Sequence, residues 1–496
     1  MTKTAESYIH KWKKLIHGTA LVFFGEALAF PTGLVIVIFL TRRLGPEHYG
    51  LFVLVSTLIN WVEWSMQSIF SRSVVKLIGE TKDWRPVAAQ IVKVNFTFGV
   101  CAAGLLWIAA EGIGVLFKEP AIAGYARLFA LEIPLFCLGR AYRSIMVGAG
   151  YFSQRALCTA VHFIGRLFLI VLFVQLGFSI PGVIAAHILA ALLDLVVIHF
   201  FCVPSLLFSP SRGSLRQLLF DSIPLFMFAI SMRFYSKMDL FMLKILGGTK
   251  DQAGFYSVAQ SLSQGLGIFA LSFSPILIAG LSHALRTQDM SSAKRMARQA
   301  MRLTLLWLPW ITLASSSAKG FIPIIFSETF VPAASIFSLL IFGAWGLLMI
   351  SVTTAILTSA AKPGWTLALA APMVCLAGLG HWALIPRLGT QGACLVTTFF
   401  ALAGALASAL AVYKIWEIFL PWSTLWKSVF ISALIYGLSF LWPVSGSFVF
   451  IKMLLLSIVI VLAYWRLGEF GPSETHLIRS LFQRRGEVPD IEGTES

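Results

Sequence analysis

The stretch DSIPLFMFAISMRFYSKMDLFMLKILGGTKDQAGFYSVAQSLS, Asp221 to Ser263, decides how the chain is read. Ile223 to Leu246 is apolar enough to span a bilayer, yet it carries Arg233 and Lys237. A cation at membrane depth costs at least about 2.5 to 3.5 kcal/mol on insertion scales, so such a side chain faces a cavity or a partner rather than lipid. The two cations are four residues apart and share a helical face, which Lys244 joins. Asp239 lies about 240° away from Arg233 at 100° per residue, so neutralisation within the helix is not expected and the cations need partners from elsewhere. Gly247 and Gly248 then force a turn, and a second apolar run begins at Gly254.

The same pattern fills the chain. Its 496 residues are 58% hydrophobic and 12% charged, with the charges gathered in short gaps between long apolar runs. Runs of about 18 residues or more predict roughly fourteen spanning helices, and hence an all-α polytopic membrane protein. Four of these spans matter below: Leu15 to Leu40, Tyr49 to Phe70, Ala123 to Val147 and Gly254 to Leu281. The first run is read as an uncleaved anchor, being too long for a signal-peptide core. The expected organisation is an N-terminal six-helix bundle over 1–203, a cytoplasmic linker over 204–220 and a second six-helix bundle over 221–413. Two additional helices over 414–466 and a cytoplasmic tail over 467–496 complete it.

A formal charge of +16 would suit nucleic acid, but its distribution is topological. With a cytoplasmic amino terminus, the other side of the membrane holds only Arg42, Arg43, Lys118, Lys244, Lys250, Lys319 and Arg387. The cytoplasmic gaps hold roughly three times as many, the asymmetry of the positive-inside rule. Both termini are expected in the cytoplasm, with anionic lipid headgroups as partners and no nucleic acid. The gap from His283 to Arg302 reads as a basic amphipathic stretch at the headgroups.

No gap is large enough for a catalytic domain, and no GxxxxGK[ST] supplies ATP hydrolysis. No Ser/His/Asp arrangement or metal-ligand spacing stands out. Cys101, Cys137, Cys158, Cys202, Cys375 and Cys394 lie in or at the ends of predicted helices and read as small apolar residues. The expectation is a protein that is not an enzyme and has no cofactor or metal.

The first six predicted helices carry unusual interior polarity. Helix one has Glu26 close to Pro31, a carboxylate suited to a proton or cation site or to a hydrogen bond with a neighbouring helix. Helix two shows a stripe of Ser56, Asn60, Glu63, Gln67 and Ser71 at helical spacing. Lys93 in helix three is equally suited to snorkelling and to a cavity. In helix four Arg127 and Arg143 lie near the ends and are expected to snorkel, whereas Arg140 is deeper. Helices five and six add His162, Arg166, His187 and Asp194. An Arg-rich interior offers planar forks for bidentate phosphate contact; the competing reading is that these charges pair off to hold helices in register.

The second half echoes the first. Gly50 and Gly254 begin corresponding runs at an offset of 204, and Gly177 and Gly389 mark corresponding turns at an offset of 212. Ser56 and Asn60 map onto Gln260 and Gln264. Such landmarks predict two repeats of the same topology related by an axis along the membrane normal.

The turns LGPEHYGLF (44–52) and LGGTKDQAGFYSVAQ (246–260), with DSIPLF and the Asp in KMDLFMLKIL, resemble landmarks of the Wzx-type oligosaccharide flippases. These are a polysaccharide-biosynthesis branch of the multidrug, oligosaccharidyl-lipid and polysaccharide (MOP) exporter superfamily. The resemblance implies two MATE-like six-helix bundles around a cavity, in the bacterial inner membrane. It further implies that undecaprenyl-pyrophosphate-linked oligosaccharide moves to the periplasmic leaflet by alternating access, for O-antigen, capsule or exopolysaccharide, alongside other polysaccharide assembly proteins. Substrate contacts would come from Arg140, Arg166, Arg233, Lys237, Lys93, Asn60 and Gln264. Glu26, Glu63 and Asp239 would couple transport to H⁺ or Na⁺. Lipid II flippases of similar fold tend to carry Arg in helix one, where this chain has Glu26. The rival expectations are a cation-coupled multidrug exporter of the same superfamily, with an acidic cavity, and a membrane glycan polymerase or ligase, which would need a sizeable external catalytic loop.

Overall fold

The computed structural model describes residues 21–469 apart from 23, 82, 202–205, 208, 210–236, 360–363 and 445. Among the described residues the chain forms helices and turns and no strand, and nine helices are long and apolar enough to cross a membrane. In a bilayer core, only a helix or a closed barrel satisfies every backbone group within itself, so a chain of apolar runs folds this way.

The first half consists of α1 (Ala29–Glu80), α2 (Arg85–Leu116), α3 (Ala121–Ala130), α4 (Glu132–Gly148), α5 (Phe152–Gln175) and α6 (Ser179–Phe201). The predicted helices one and two run together as α1, interrupted where Gly45 takes φ 71° ahead of Pro46. The predicted span Ala123 to Val147 is likewise two helices, separated at Leu131 shortly before Pro134. Residues 237–245 form the described part of α7. Then follow α8 (Lys250–Ser263), a 3₁₀ turn (Gln264–Leu266) and α9 (Gly267–Arg286). The expected continuous helix Gly254 to Leu281 is therefore broken, and non-helical backbone at membrane depth is tolerated only where it is buried in protein or lines a cavity.

The remaining helices are α10 (Met290–Leu306), α11 (Leu308–Ile325), α12 (Pro332–Ser359), α13 (Gly364–Leu388), α14 (Thr390–Trp416), α15 (Trp422–Leu441) and α16 (Phe448–Arg466). Two compact units can be distinguished. One comprises the described residues up to Ser263 with Ile325–Leu340 and Ala370–Phe400; the other comprises Gln264–Ile324, Ile341–Leu369 and the described residues from Ala401.

In the first unit α1, α2 and α4 share a core that includes Ile78, Ile91, Ile145 and Met146. In the second, α15 and α16 pack Ile431, Ile435, Leu456 and Ile460 against Leu313. Between apolar helices in lipid there is no hydrophobic drive, so close packing of small residues carries the association. At Gly346 a Cβ would stand 2.9 Å from the Ala401 carbonyl oxygen.

The internal repeat has a physical expression. A Cβ on Gly50 would sit 2.0 Å from the carbonyl oxygen of Lys250, and one on Gly254 would sit 2.5 Å from that of Pro46. Residues 46 and 250 are separated by the same offset as 50 and 254, so the contact is reciprocal: each repeat's glycine receives the other's carbonyl. Gly177 and Gly389 both hold positive φ, 90° and 57°, at equivalent helix ends.

Candidate functional site

The first unit contains two polar clusters within membrane helices. The first is built from α1, α4, α5 and α6. Arg143 Nη2 lies 3.1 Å from Asp194 Oδ2, with both side chains at most 4% exposed. Gly139 makes room for the pair, since a Cβ there would be 2.9 Å from the same carboxylate oxygen. His187 Nδ1 lies 3.6 Å from Glu132 Oε1. Glu63 and Glu132 are both buried and interact electrostatically, and Arg140 and Arg166 stand within electrostatic reach of Glu63. Among the described residues, Glu63 Oε1 and the Nε atoms of Arg140 and Arg166 find no hydrogen-bond partner. Each of these two guanidinium groups lies beside an aromatic ring of its own helix, Arg140 at 5.3 Å from Phe136 and Arg166 at 5.4 Å from Phe163. That geometry holds a cation by its weakly hydrated plane and leaves its N–H edge for other contacts.

The second cluster is built from α7, α8 and α14. Asp239 is 4% exposed and accepts from Tyr256 Oη (2.7 Å), Gln260 Nε2 (3.1 and 3.2 Å), Thr397 Oγ1 (3.3 Å) and the Leu240 backbone N–H (2.8 Å). Gln260 Oε1 in turn accepts from Lys237 Nζ at 2.6 Å. His381 of α13 is buried beside this acid, within its electrostatic reach, and among the described residues its Nδ1 has no partner.

A third group of charges lies at the turn before α8. Lys250 Nζ pairs with Glu47 at 3.2 Å and Glu119 at 3.3 Å, and Lys244 lies 3.8 Å from Glu119. Glu47, Lys244 and Lys250 border a cavity of about 420 Å³ that Lys118, Gly247 and Gly248 also line. Hydrogen bonds to Glu47 and then Glu119 hold the Lys250 ammonium above its usual lysine range. Lys118, Lys244 and Lys250 are three of the cations that the charge distribution assigns to a single side of the membrane.

A family model described as polysaccharide biosynthesis protein matches residues 39–335, more than half of the chain. The chain belongs to the polysaccharide biosynthesis protein family. The fold is similar to that of the lipid II flippase MurJ in an inward closed conformation, with a TM-score of 0.73 and 14% identity over 94% of this chain and 100% of that one. It is also similar to an inward-facing multidrug resistance MATE family transporter, with a TM-score of 0.65 and 16% identity over 78% of this chain and 94% of that one. A MOP superfamily transporter from Pyrococcus furiosus, described as having a binding pocket of reverse polarity, scores 0.58 with 14% identity over 82% and 96%. No curated protein matches the sequence. The protein is thus a multi-pass member of this family, and its fold is similar to that of the flippase and transporters named above.

Within this polysaccharide biosynthesis protein the expected site residues fall into distinct settings. Arg140, Arg166 and Glu63 come together in the first cluster, and Lys237 and Asp239 in the second. Arg233 lies outside the described residues. Lys93 donates to the Ser209 carbonyl at 2.8 Å. Asn60 is exposed, and its amide donates to the Ser56 carbonyl one turn back. Gln264 is exposed in the 3₁₀ turn. Glu26 accepts from Arg155 at 2.9 Å, the hydrogen bond to a neighbouring helix that was the alternative reading.

One expectation is overturned. Arg143, expected to snorkel from a helix end, is buried against Asp194, because α6 supplies the counter-ion and Gly139 leaves room for the pair. Arg127 pairs with Glu111 at an exposed position. Sequence reasoning passed over Lys452, buried in α16 and donating to the Ser439 carbonyl at 2.8 Å. It also gave Gln260 no special role, although its spacing from Tyr256 places both on one face of α8.

Proposed function

We propose that this chain is a flippase that moves an undecaprenyl-pyrophosphate-linked oligosaccharide from the cytoplasmic to the periplasmic leaflet of a bacterial inner membrane, with both termini cytoplasmic. Family membership supports transport in polysaccharide synthesis. The observation that carries the anionic lipid head is the setting of Arg140 and Arg166: among the described residues neither lies within ion-pair distance of a carboxylate, yet both sit in membrane helices beside Glu63. A cation at depth that no carboxylate pairs directly is expensive, and a ligand of opposite charge would complete it.

Arg140, Arg166, Arg233 and Lys237 hold the pyrophosphate in this reading. Lys93, Asn60 and Gln264 contact it or the sugar hydroxyls. Alternating access rocks the bundle 1–203 against 221–413, and the acids couple the cycle to H⁺ or Na⁺. Glu63 and Asp239 suit that task better than Glu26, whose carboxylate Arg155 occupies. The cargo serves O-antigen, capsule or exopolysaccharide assembly.

The test is glycan export in cells carrying Arg140→Gln with Arg166→Gln, or Arg233→Gln with Lys237→Gln, at matched protein levels. Each double variant is expected to lose at least tenfold in export, a loss of about 1.4 kcal/mol or more in binding or transition. Undiminished export by both removes the proposal. The similarity to a MATE transporter and the buried pair Glu63 and Glu132 favour, as second reading, a multidrug exporter. Cation-coupled efflux of a cationic dye by reconstituted protein would establish it.

A further inference from the structure

We propose that Gln260 is the link between the two ligands of the second cluster, so that anion binding at Lys237 depends, through the Gln260 amide, on whether Asp239 carries a proton. The inference rests on the reading of Lys237 as a substrate cation and Asp239 as a coupling acid.

A primary amide has an acceptor end and a donor end, and here both ends are engaged. Gln260 Oε1 accepts from the Lys237 ammonium at 2.6 Å, and Nε2 donates to both Asp239 oxygens at 3.1 and 3.2 Å. An ammonium only donates and an ionised carboxylate only accepts, so the amide's orientation is fixed from both sides while Asp239 is charged. The side chain is 7% exposed, which leaves little water to replace either contact.

Protonating Asp239 changes the terms. One carboxylate oxygen becomes a donor, and the two-pronged contact with Nε2 loses one of its acceptors. Tyr256 and Thr397 carry hydroxyls able to reverse from donor to acceptor, but the Leu240 N–H and the Gln260 NH₂ cannot. The charge that orients the amide is gone, so Gln260 holds Lys237 less firmly and a phosphate oxygen competes with Oε1 on better terms. The coupling is reciprocal: an anion seated on Lys237 releases Oε1 and so loosens the amide's hold on Asp239.

The described titratable groups facing Asp239 are Lys237 on its own helix, Tyr256 on α8, His381 on α13 and Cys394 on α14. His381 adds an independent observation. It is 2% exposed beside the acid, and among the described residues its Nδ1 has no hydrogen-bond partner.

The experiment is a double-mutant cycle on the full chain in nanodiscs at one fixed pH, with a short polyprenyl pyrophosphate as probe. Asp239→Asn imitates the protonated acid and is expected to tighten probe binding about tenfold, within the usual range of coupling. Gln260→Ala is expected to tighten it similarly, and adding Asp239→Asn in that background is expected to change little. Gln260→Met keeps the volume and serves the same cycle if the Ala variant unfolds, with thermal unfolding as the check. Equal tightening by Asp239→Asn with and without Gln260 overturns the link while leaving the transport reading intact. Unchanged probe binding in Lys237→Gln overturns the reading on which the link rests.

Discussion

In α4 and α6 the buried polar pair is ionic, Arg143 against Asp194; in α12 and α14 the buried polar groups are hydroxyls. Thr353 Oγ1 donates to Ser408 Oγ at 2.8 Å, both residues at most 1% exposed, and Ser351 meets Ser274 at 2.9 Å. A hydroxyl pair fastens two helices at little desolvation cost and loses little when broken, because the hydroxyl can turn back to its own helix carbonyl. A buried ion pair costs desolvation to form and far more to break. Ions therefore belong where charge is to be handled, and hydroxyls where helices need only be held.

The sharpest way to break this contrast is Asp194→Ala, which leaves Arg143 buried without its counter-ion. It is expected to destabilise the protein by about 3 to 5 kcal/mol, read as unfolding in detergent; a loss below about 1 kcal/mol would show that the two interiors do not differ in this way. The double replacement Arg143→Met with Asp194→Leu sharpens the contrast. Removing both charges is expected to recover most of that stability, because an apolar pair of similar volume often equals or exceeds an ion pair.

A charge cluster near the end of α16 occupies intermediate ground. Glu469 accepts from Arg302, Lys427 and Thr424, tying α10 and α15 to the segment after α16. Burial opposes its charged form, yet those hydrogen bonds outweigh it and hold Glu469 below the ordinary glutamate value of 4.5. A depressed carboxylate contributes stability that is present above its unfolded pKa and is lost as pH falls through the folded one. Protection against hydrogen exchange in residues 446–469, relative to the intrinsic rate at each pH, is thus expected to fall as the pH drops below about 4.5. Glu469→Gln is expected to show fast exchange at every pH, and pH-independent protection in the native protein would refute the clamp. The smallest effect is expected from Thr353→Val, about 0.6 kcal/mol, the average for a hydrogen bond between membrane helices. A loss above about 2 kcal/mol would mean that the hydroxyl interior resists disruption no less than the ionic one.

Much of this was legible in the residues. Hydropathy alone gave the helices, because a bilayer admits few other shapes. The reciprocal packing of Gly50 and Gly254 realises an offset visible as a sequence echo. Glu63, Arg140 and Arg166 were marked by their cost at depth, and the structure draws them together. Other features were not legible, and for identifiable reasons. Helix breaks at Leu131 and Gln264 do not show in hydropathy, which is blind to backbone hydrogen bonding, although Pro134, Gly265 and Gly267 stand close to them.

The sequence by itself determined that the chain spans a membrane many times, that its halves repeat, and that cations lie where lipid would reject them, since each follows from transfer free energies summed along the chain. Only the tertiary structure decided which charges are spent on one another. It joined Arg143 to Asp194, gave Lys237 to Gln260, and left Arg140 and Arg166 beside aromatic rings. Pairing depends on distances of a few ångströms between different helices, where Coulomb energy and hydrogen bonding change steeply, and no periodicity within a single helix encodes them.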